Sequence, residues 1–279
     1  MRINLKSKIT HAFIALAVCF TSGASASQEP AEVAKQTLVF GVVPQQSAAK
    51  LAVQWGPLLK VWGEVTGLDI RFATARDIPT FEQRLAAGEY DIAYMNPYHF
   101  TLVNQTPGYT ALARAKDKRI TGIMVARKDW QGSLDELDNT SLAFPAPRAF
   151  AASILTQSEL RQKGLSISAN YVGSHDSVYM AVARGLYPAG GGVMRTYNSL
   201  DESIKQHLTV IYRTNSYTPH AIAFSKSLDK STTLALQQSL TAVNEHADAQ
   251  AVFEKLSIKG LEPALDSDWD DVVSLDIEM

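Results

Sequence analysis

Four places in this chain bring a short polar or backbone-exposing turn directly after an apolar run and directly before helical spacing. They are Gln45-Gln46-Ser47, Tyr94-Met95-Asn96-Pro97-Tyr98, Pro145-Ala146-Pro147-Arg148 and Gly173-Ser174-His175. A turn of this kind opens the helix that follows, where unpaired N–H groups and the positive end of the helix dipole face outward. Such ends hold anions, and in open α/β sheets ligands gather beyond the carboxyl ends of the strands. Together the four turns would form a donor-rich cage for a small oxyanion. Taken singly, each is an ordinary helix cap.

The side chains there suit that chemistry and also suit plainer roles. His175, in a first helical turn, could donate to an anionic oxygen or cap the helix. Tyr94 and Tyr98 carry phenolic donors that could wall a pocket, and rings that could fill a core. Arg148 offers a bidentate clamp or a solvated helix start. Pro188-Ala189-Gly190-Gly191-Gly192 would let backbone approach a ligand closely, with Arg195 just beyond, or would be a turn feeding a strand. Tyr217-Thr218-Pro219-His220 could line a cleft floor or form hinge structure. The candidate ligand-binding set is Gln46, Tyr94, Asn96, Tyr98, Arg148, Ser174, His175, Arg195 and Tyr217. Among these, Arg195, Arg148 and His175 would balance the ligand's charge, His175 most effectively when protonated.

Catalytic and metal chemistry find little support. The chain has no G-x-x-x-x-G-K-[ST], no G-x-S-x-G and no H-E-x-x-H. Ser174-His175-Asp176 holds triad residue types, but neighbours on a helical turn point in different directions. His99, His175, His207, His220 and His246 show no ligand spacing, and the single cysteine, Cys19, excludes an internal disulfide and a cysteine-built zinc site. No catalytic residue, metal or cofactor is expected. With 26 Lys and Arg against 28 Asp and Glu there is no basic field for nucleic acid.

The N-terminus reads as a secretory signal peptide. Arg2, Lys6 and Lys8 precede an apolar run from Ala12 to Phe20, then Ala24-Ser25-Ala26 supplies an A-x-A cleavage pattern. The run is far shorter than the roughly 20 residues a span needs. A lipid anchor at Cys19 is disfavoured by Val18 before it. Loss of residues 1–26 leaves 23 basic against 28 acidic residues, a formal −5, and no cysteine. The remaining chain is expected outside the cytoplasm, monomeric and without a membrane span.

The elements that must position these turns alternate strand and helix. Thr37 to Val43, Leu68 to Thr74, Tyr90 to Met95, Ser141 to Phe144 and Ala169 to Val172 read as strands. Helical segments run between them at Ser47 to Thr66, from Asp77 to Gly88, after Asn96-Pro97, at Ala149 to Lys163 and at Ser174 to Leu186, with Pro57 kinking or restarting the first. This grammar argues for mostly parallel sheets flanked by helices. Two segments break it: Tyr109 to Arg127 and Leu208 to Ser225 each place two strands in succession. Two such crossings divide the chain into one lobe of 37–118 plus 217–279 and a second of 119–216, with ligand between them and hinge strands behind.

Phe40-Gly41-Val42-Val43-Pro44, Gln54-Trp55-Gly56-Pro57-Leu58, Tyr90-Asp91-Ile92-Ala93-Tyr94, Val172-Gly173-Ser174-His175-Asp176-Ser177 and Ala181-Val182-Ala183-Arg184-Gly185, in that order and spacing, resemble the phosphonate/phosphite/phosphate periplasmic substrate-binding proteins of ABC transporters. The resemblance runs over most of residues 37–225. It implies a two-lobed α/β fold of the type II periplasmic binding protein kind, each lobe a mixed, mostly parallel sheet flanked by helices, with two hinge strands. It also implies no chemistry of its own and delivery of an oxyanion to a membrane permease. The alternative is a same-fold protein that reports its ligand to a membrane sensor kinase. The chain departs from the family at Phe144-Pro145-Ala146-Pro147-Arg148-Ala149, where members carry a Ser/Thr-rich turn, and at Gly190-Gly191-Gly192, where they tend to place an aspartate.

Overall fold

A computed structural model of the chain describes residues 35–275, so the expected signal peptide and residues 276–279 lie outside the described residues. The strands are β1 (Thr37–Val42), β2 (Asp69–Ala73), β3 (Ile92–Met95), β4 (Tyr109–Ala115), β5 (Ile120–Arg127), β6 (Thr140–Phe144), β7 (Ile167–Tyr171), β8 (Ala189–Val193), β9 (Leu208–Tyr217), β10 (Ala221–Ser225) and β11 (Leu261–Pro263). They form two sheets, in the orders β11-β4-β10-β3-β1-β2 and β7-β6-β8-β5-β9. The chain passes from the first sheet to the second between β4 and β5, and returns between β9 and β10.

Both sheets are mixed rather than mostly parallel. β1 pairs in parallel with β2 and β3, and β6 with β7 and β8. Every other pairing is antiparallel: β5 and β10, each entered from a strand of the other sheet with no helix between, run against β8 and β9 and against β3 and β4, and β11 runs against β4.

Helix starts follow the capping residues in the sequence. Ser47 accepts from the Lys50 N–H and opens α1 (Ala48–Thr66), which stops at Gly67 with φ 75°. Asp77 accepts from Thr80 N–H at the start of α2 (Ile78–Ala86), and Asn96 from His99 N–H at the start of α3 (Pro97–Val103). Pro57 neither ends nor restarts α1: the acceptor it leaves free belongs to Val53, on the exposed face, where water can replace the bond. The opposite face buries Leu51, Trp55, Leu58, Leu59 and Trp62 beneath Leu236, Leu240 and Val243 of the helix Lys230–Glu245, and the Trp62 indole donates to Ser239 at 2.7 Å.

The segment after β6 opens as a π-helical turn, Phe150–Leu155, and continues as α4 (Thr156–Gln162). Its position depends on glycine. A Cβ on Gly122 of β5 would overlap the Ala151 carbonyl, and one on Gly191 of β8 would overlap the Ala152 carbonyl. Gly190 and Gly192 make the corresponding room for Val178 and for the Tyr179 hydroxyl of α5 (His175–Ala183). All five residues of β8 are buried. The glycine run is therefore a packing surface inside a central strand, and it draws the start of the 150–162 helix down onto the sheet.

Gly191→Ala should lower the urea midpoint without changing the slope, by about 1–3 kcal/mol of stability, the usual cost of overpacking. An unchanged midpoint would show that the helix has room to retreat.

Candidate functional site

The carboxyl ends of β1 and β3 face the start of the 150–162 helix, the start of α5 and the segment beyond β8. Gln45 and Gln46, 5% and 3% exposed, extend from β1, and Asn96, 3% exposed, from β3. Across from them lie Ala149 to Ala152, His175 and Val193, all buried. His220, on the return crossing, closes the floor. Gln45, Asn96, His175, His220 and the Ala149 to Ala152 segment line a cavity of about 10 Å³, room for about one water. The N–H groups in the first turn of the 150–162 helix have no acceptor within that turn, so the helix presents donors there.

Hydrogen bonds cross this cleft at several points. The Gln45 carbonyl accepts from the His175 N–H at 3.2 Å, and its side-chain oxygen accepts from the Arg195 guanidinium. Gln46 donates to the Ser199 hydroxyl at 2.7 Å. Asn96 donates to the Arg148 carbonyl at 3.0 Å. Two ion pairs flank them, Arg148–Glu82 at 3.5 Å and Lys50–Asp176 at 4.0 Å.

The electrostatics are uneven. Arg195 is half-buried, and among the described residues no carboxylate pairs with it. Burial, helped by the Arg195 charge, holds the His175 imidazole down to about 3, and burial with Arg195 holds His220 well below its ordinary value. Burial pushes the Tyr94 phenol up, against the pull of Arg195. His175 is thus neutral at physiological pH, which overturns the expectation that it would assist as a cation. Its Nδ1 meets the Thr196 hydroxyl at 3.2 Å, and Thr196 in turn meets Tyr179 at 2.9 Å. His220 Nε2 and Gln46 Oε1 are buried with no hydrogen-bond partner in the protein.

The sequence candidates fall into two groups. Gln46, Asn96, His175 and Arg195 meet around the cleft, and Tyr94 stands beside them, stacked on His220 at 4.8 Å and 15°. Tyr98, 8% exposed, packs in the core. Ser174 accepts from the Ser177 N–H as a helix cap. Tyr217 stands edge-on to Phe150 at 5.9 Å. The Arg148 guanidinium turns to Glu82 at the rim, its side chain 42% exposed. Gln45 and His220, absent from the candidate set, are the additions. Both lie in turns already marked as polar, and only the fold distinguishes the inward-facing member of each turn.

This arrangement is a two-lobed receptor with a donor-lined cleft and no reactive constellation among the described residues. The family of periplasmic substrate-binding proteins of phosphonate ABC transporters matches residues 40–269, and the chain belongs to that family. The phosphate-import protein PhnD of Mycolicibacterium smegmatis is 24% identical over 217 residues, covering 68% of this chain. The chain spans 66% of that relative's length. Among solved structures, a binding protein component of an ABC phosphonate transporter from Pseudomonas aeruginosa aligns with TM-score 0.79 at 15% identity, over 87% of this chain and 86% of that one. PhnD1 from Prochlorococcus marinus, solved with methylphosphonate, aligns with TM-score 0.76 at 15% identity, over 86% and 97%. The fold is that of a type II periplasmic binding protein.

The neutral histidines make a measurable signature. Unfolded, His175 would protonate near 6.5, but in the native state only near 3. Stability is therefore lost as pH falls through that window, by about 1.4 kcal/mol per pH unit for His175, and His220 acts in the same direction. NMR titration should leave the His175 and His220 ring signals in their neutral positions from about pH 8 to about pH 5. Protonation of either near its ordinary value would contradict the burial argument.

Proposed function

We propose that this chain captures a small oxyanion of the phosphonate, phosphite or phosphate class between its lobes and presents it to the permease of an ABC transporter. The observation that carries this reading is the Arg195 guanidinium, half-buried and unpaired with any carboxylate among the described residues, bonded to Gln45 beside a small cavity whose lining is neutral. The family supplies the ligand class. Asn96, His220, Tyr94 and the first N–H groups of the 150–162 helix would complete the shell around the anion, with Gln46 and His175 fixing the wall behind them. Segments 37–118 with 217–279 and 119–216 would act as the two moving bodies, bending at 116–119 and 218–220. Closure removes water and strengthens each hydrogen bond to the anion. The chain performs no covalent step on its ligand in this reading. Export by the leader, with cleavage after Ala26, and action as a monomer belong to the same proposal.

A thermal-shift screen against phosphate, phosphite, alkylphosphonates, sulfate and small carboxylates tests it. A ligand at a hundredfold excess over its Kd adds about 2.7 kcal/mol and should raise the midpoint by roughly 5–10 °C. Arg195→Met should weaken the positive ligand by about 2–5 kcal/mol, roughly 30-fold to several-thousand-fold. No shift with any phosphorus oxyanion, or unchanged affinity in Arg195→Met, would overturn the reading.

A further inference from the structure

A second cavity adjoins the cleft. It measures about 220 Å³, many times the volume of the first, and the two share Ile120, Val193 and His220 in their linings. Tyr94, stacked on His220, stands in the second cavity together with Arg195, so the one cation assigned to the anion borders this space as well. Beyond that border the walls turn apolar. Val193 and Met194 contribute one side, Leu256 and Ile258 the other, with Pro219 behind.

The charged side chains that line it are of one sign. Lys118 and Arg119 line the cavity alongside Arg195, and no carboxylate does. Lys118 donates to the Ser257 carbonyl at 3.1 Å, and Arg119 is held by Asp271 at 2.7 Å, so both cations are fixed at the rim. The glycine run of β8 bears on the sheet interior and supplies no acid here either. A group bearing an ammonium would enter this space against Arg195 and Lys118, with Arg119 already paired to Asp271 and no carboxylate in the lining to receive it. An alkyl or aryl group would meet carbon on most sides, and apolar burial is favourable in proportion to the area removed from water.

We propose that this second cavity receives the organic substituent of the bound anion and selects an uncharged apolar one, about the size of a butyl or phenyl group, over substituents that carry an ammonium. The proposal rests on the oxyanion reading above and names its substrate class: alkyl- or arylphosphonates rather than bare phosphate or aminoalkyl compounds. Tyr94 and His220 then serve two surfaces, their edges toward the anion and their stacked rings toward the substituent.

Calorimetry with inorganic phosphate, methylphosphonate, propylphosphonate, butylphosphonate and 2-aminoethylphosphonate, at one pH and salt concentration, tests this. Each buried methylene contributes roughly fourfold, so butylphosphonate should bind at least about tenfold more tightly than methylphosphonate. 2-Aminoethylphosphonate should bind at least about tenfold more weakly than its near-isostere propylphosphonate. Thr121→Phe, on the cavity wall outside the anion's shell, should leave methylphosphonate within about threefold and cost butylphosphonate about tenfold or more. Ile258→Trp, filling the same space from the opposite wall, should act alike, and a native thermal midpoint establishes that each variant folds. Binding of phosphate and methylphosphonate with no gain for butyl, or equal losses for methyl and butyl in both variants, overturns the substituent cavity alone. Binding of none of the five overturns the oxyanion reading, and the cavity's role with it.

Discussion

Arg195 carries a full positive charge to the edge of a small cavity whose lining is neutral, and among the described residues its guanidinium donates to the side-chain oxygen of Gln45. A guanidinium cannot shed its proton, so it stays charged at any depth a protein offers. A charge out of water without a counter-charge is costly, and the cost is relieved when an anion arrives. The same field, added to burial, keeps His175 and His220 neutral. The site therefore sets the fixed charge of Arg195, with Lys118 and Arg119 farther out, beside a set of neutral donors. That composition suits a small anion far better than a cation or a neutral solute.

The groups that hold the lobes together act differently from those that await the ligand. The flanking pairs Arg148–Glu82 and Lys50–Asp176 have partly exposed members, and exposed or half-exposed pairs contribute typically less than 1 kcal/mol each. The buried hydrogen bonds of Gln45, Gln46 and Asn96 add specificity of register more than net stability, since water would satisfy the same groups in the proposed open form. In the proposed hinge motion, closure without ligand would rest on small terms, so a few strong bonds to an anion would decide it. Apolar contact continues the same surface, with Val43, Ile78 and Met95 on one side of the cleft meeting Phe150, Ala151 and Ala152 on the other.

Much of this was legible in the chain itself, where local chemistry sets local structure. Asp77, Asn96 and Ser174 stand at helix starts because short side-chain acceptors satisfy the first free N–H groups, a rule that needs no tertiary information. The helix-free pairs at 109–127 and 208–225 announced where the chain passes between sheets. What stayed hidden depends on distant partners. Nothing in Gly190-Gly191-Gly192 reveals that the Ala152 carbonyl will press on the strand, and nothing in Pro147-Arg148 reveals Glu82 across the cleft. His220 could be placed on a cleft floor, yet its stacking on Tyr94 and its unpaired Nε2 emerge only once β3 and β10 lie side by side. Pro57 misleads for a similar reason, since its effect depends on which face of α1 meets water.

A crystal structure of the chain with methylphosphonate tests the central claim most directly. The account predicts the phosphonate oxygens between the lobes, at about 3 Å from the Arg195 guanidinium and from His220 Nε2, with the methyl group directed toward Met194, Leu256 and Ile258. A phosphonate seated instead in the outer groove by Arg127, Arg184 and His207, with Arg195 still bonded only to Gln45, would contradict it.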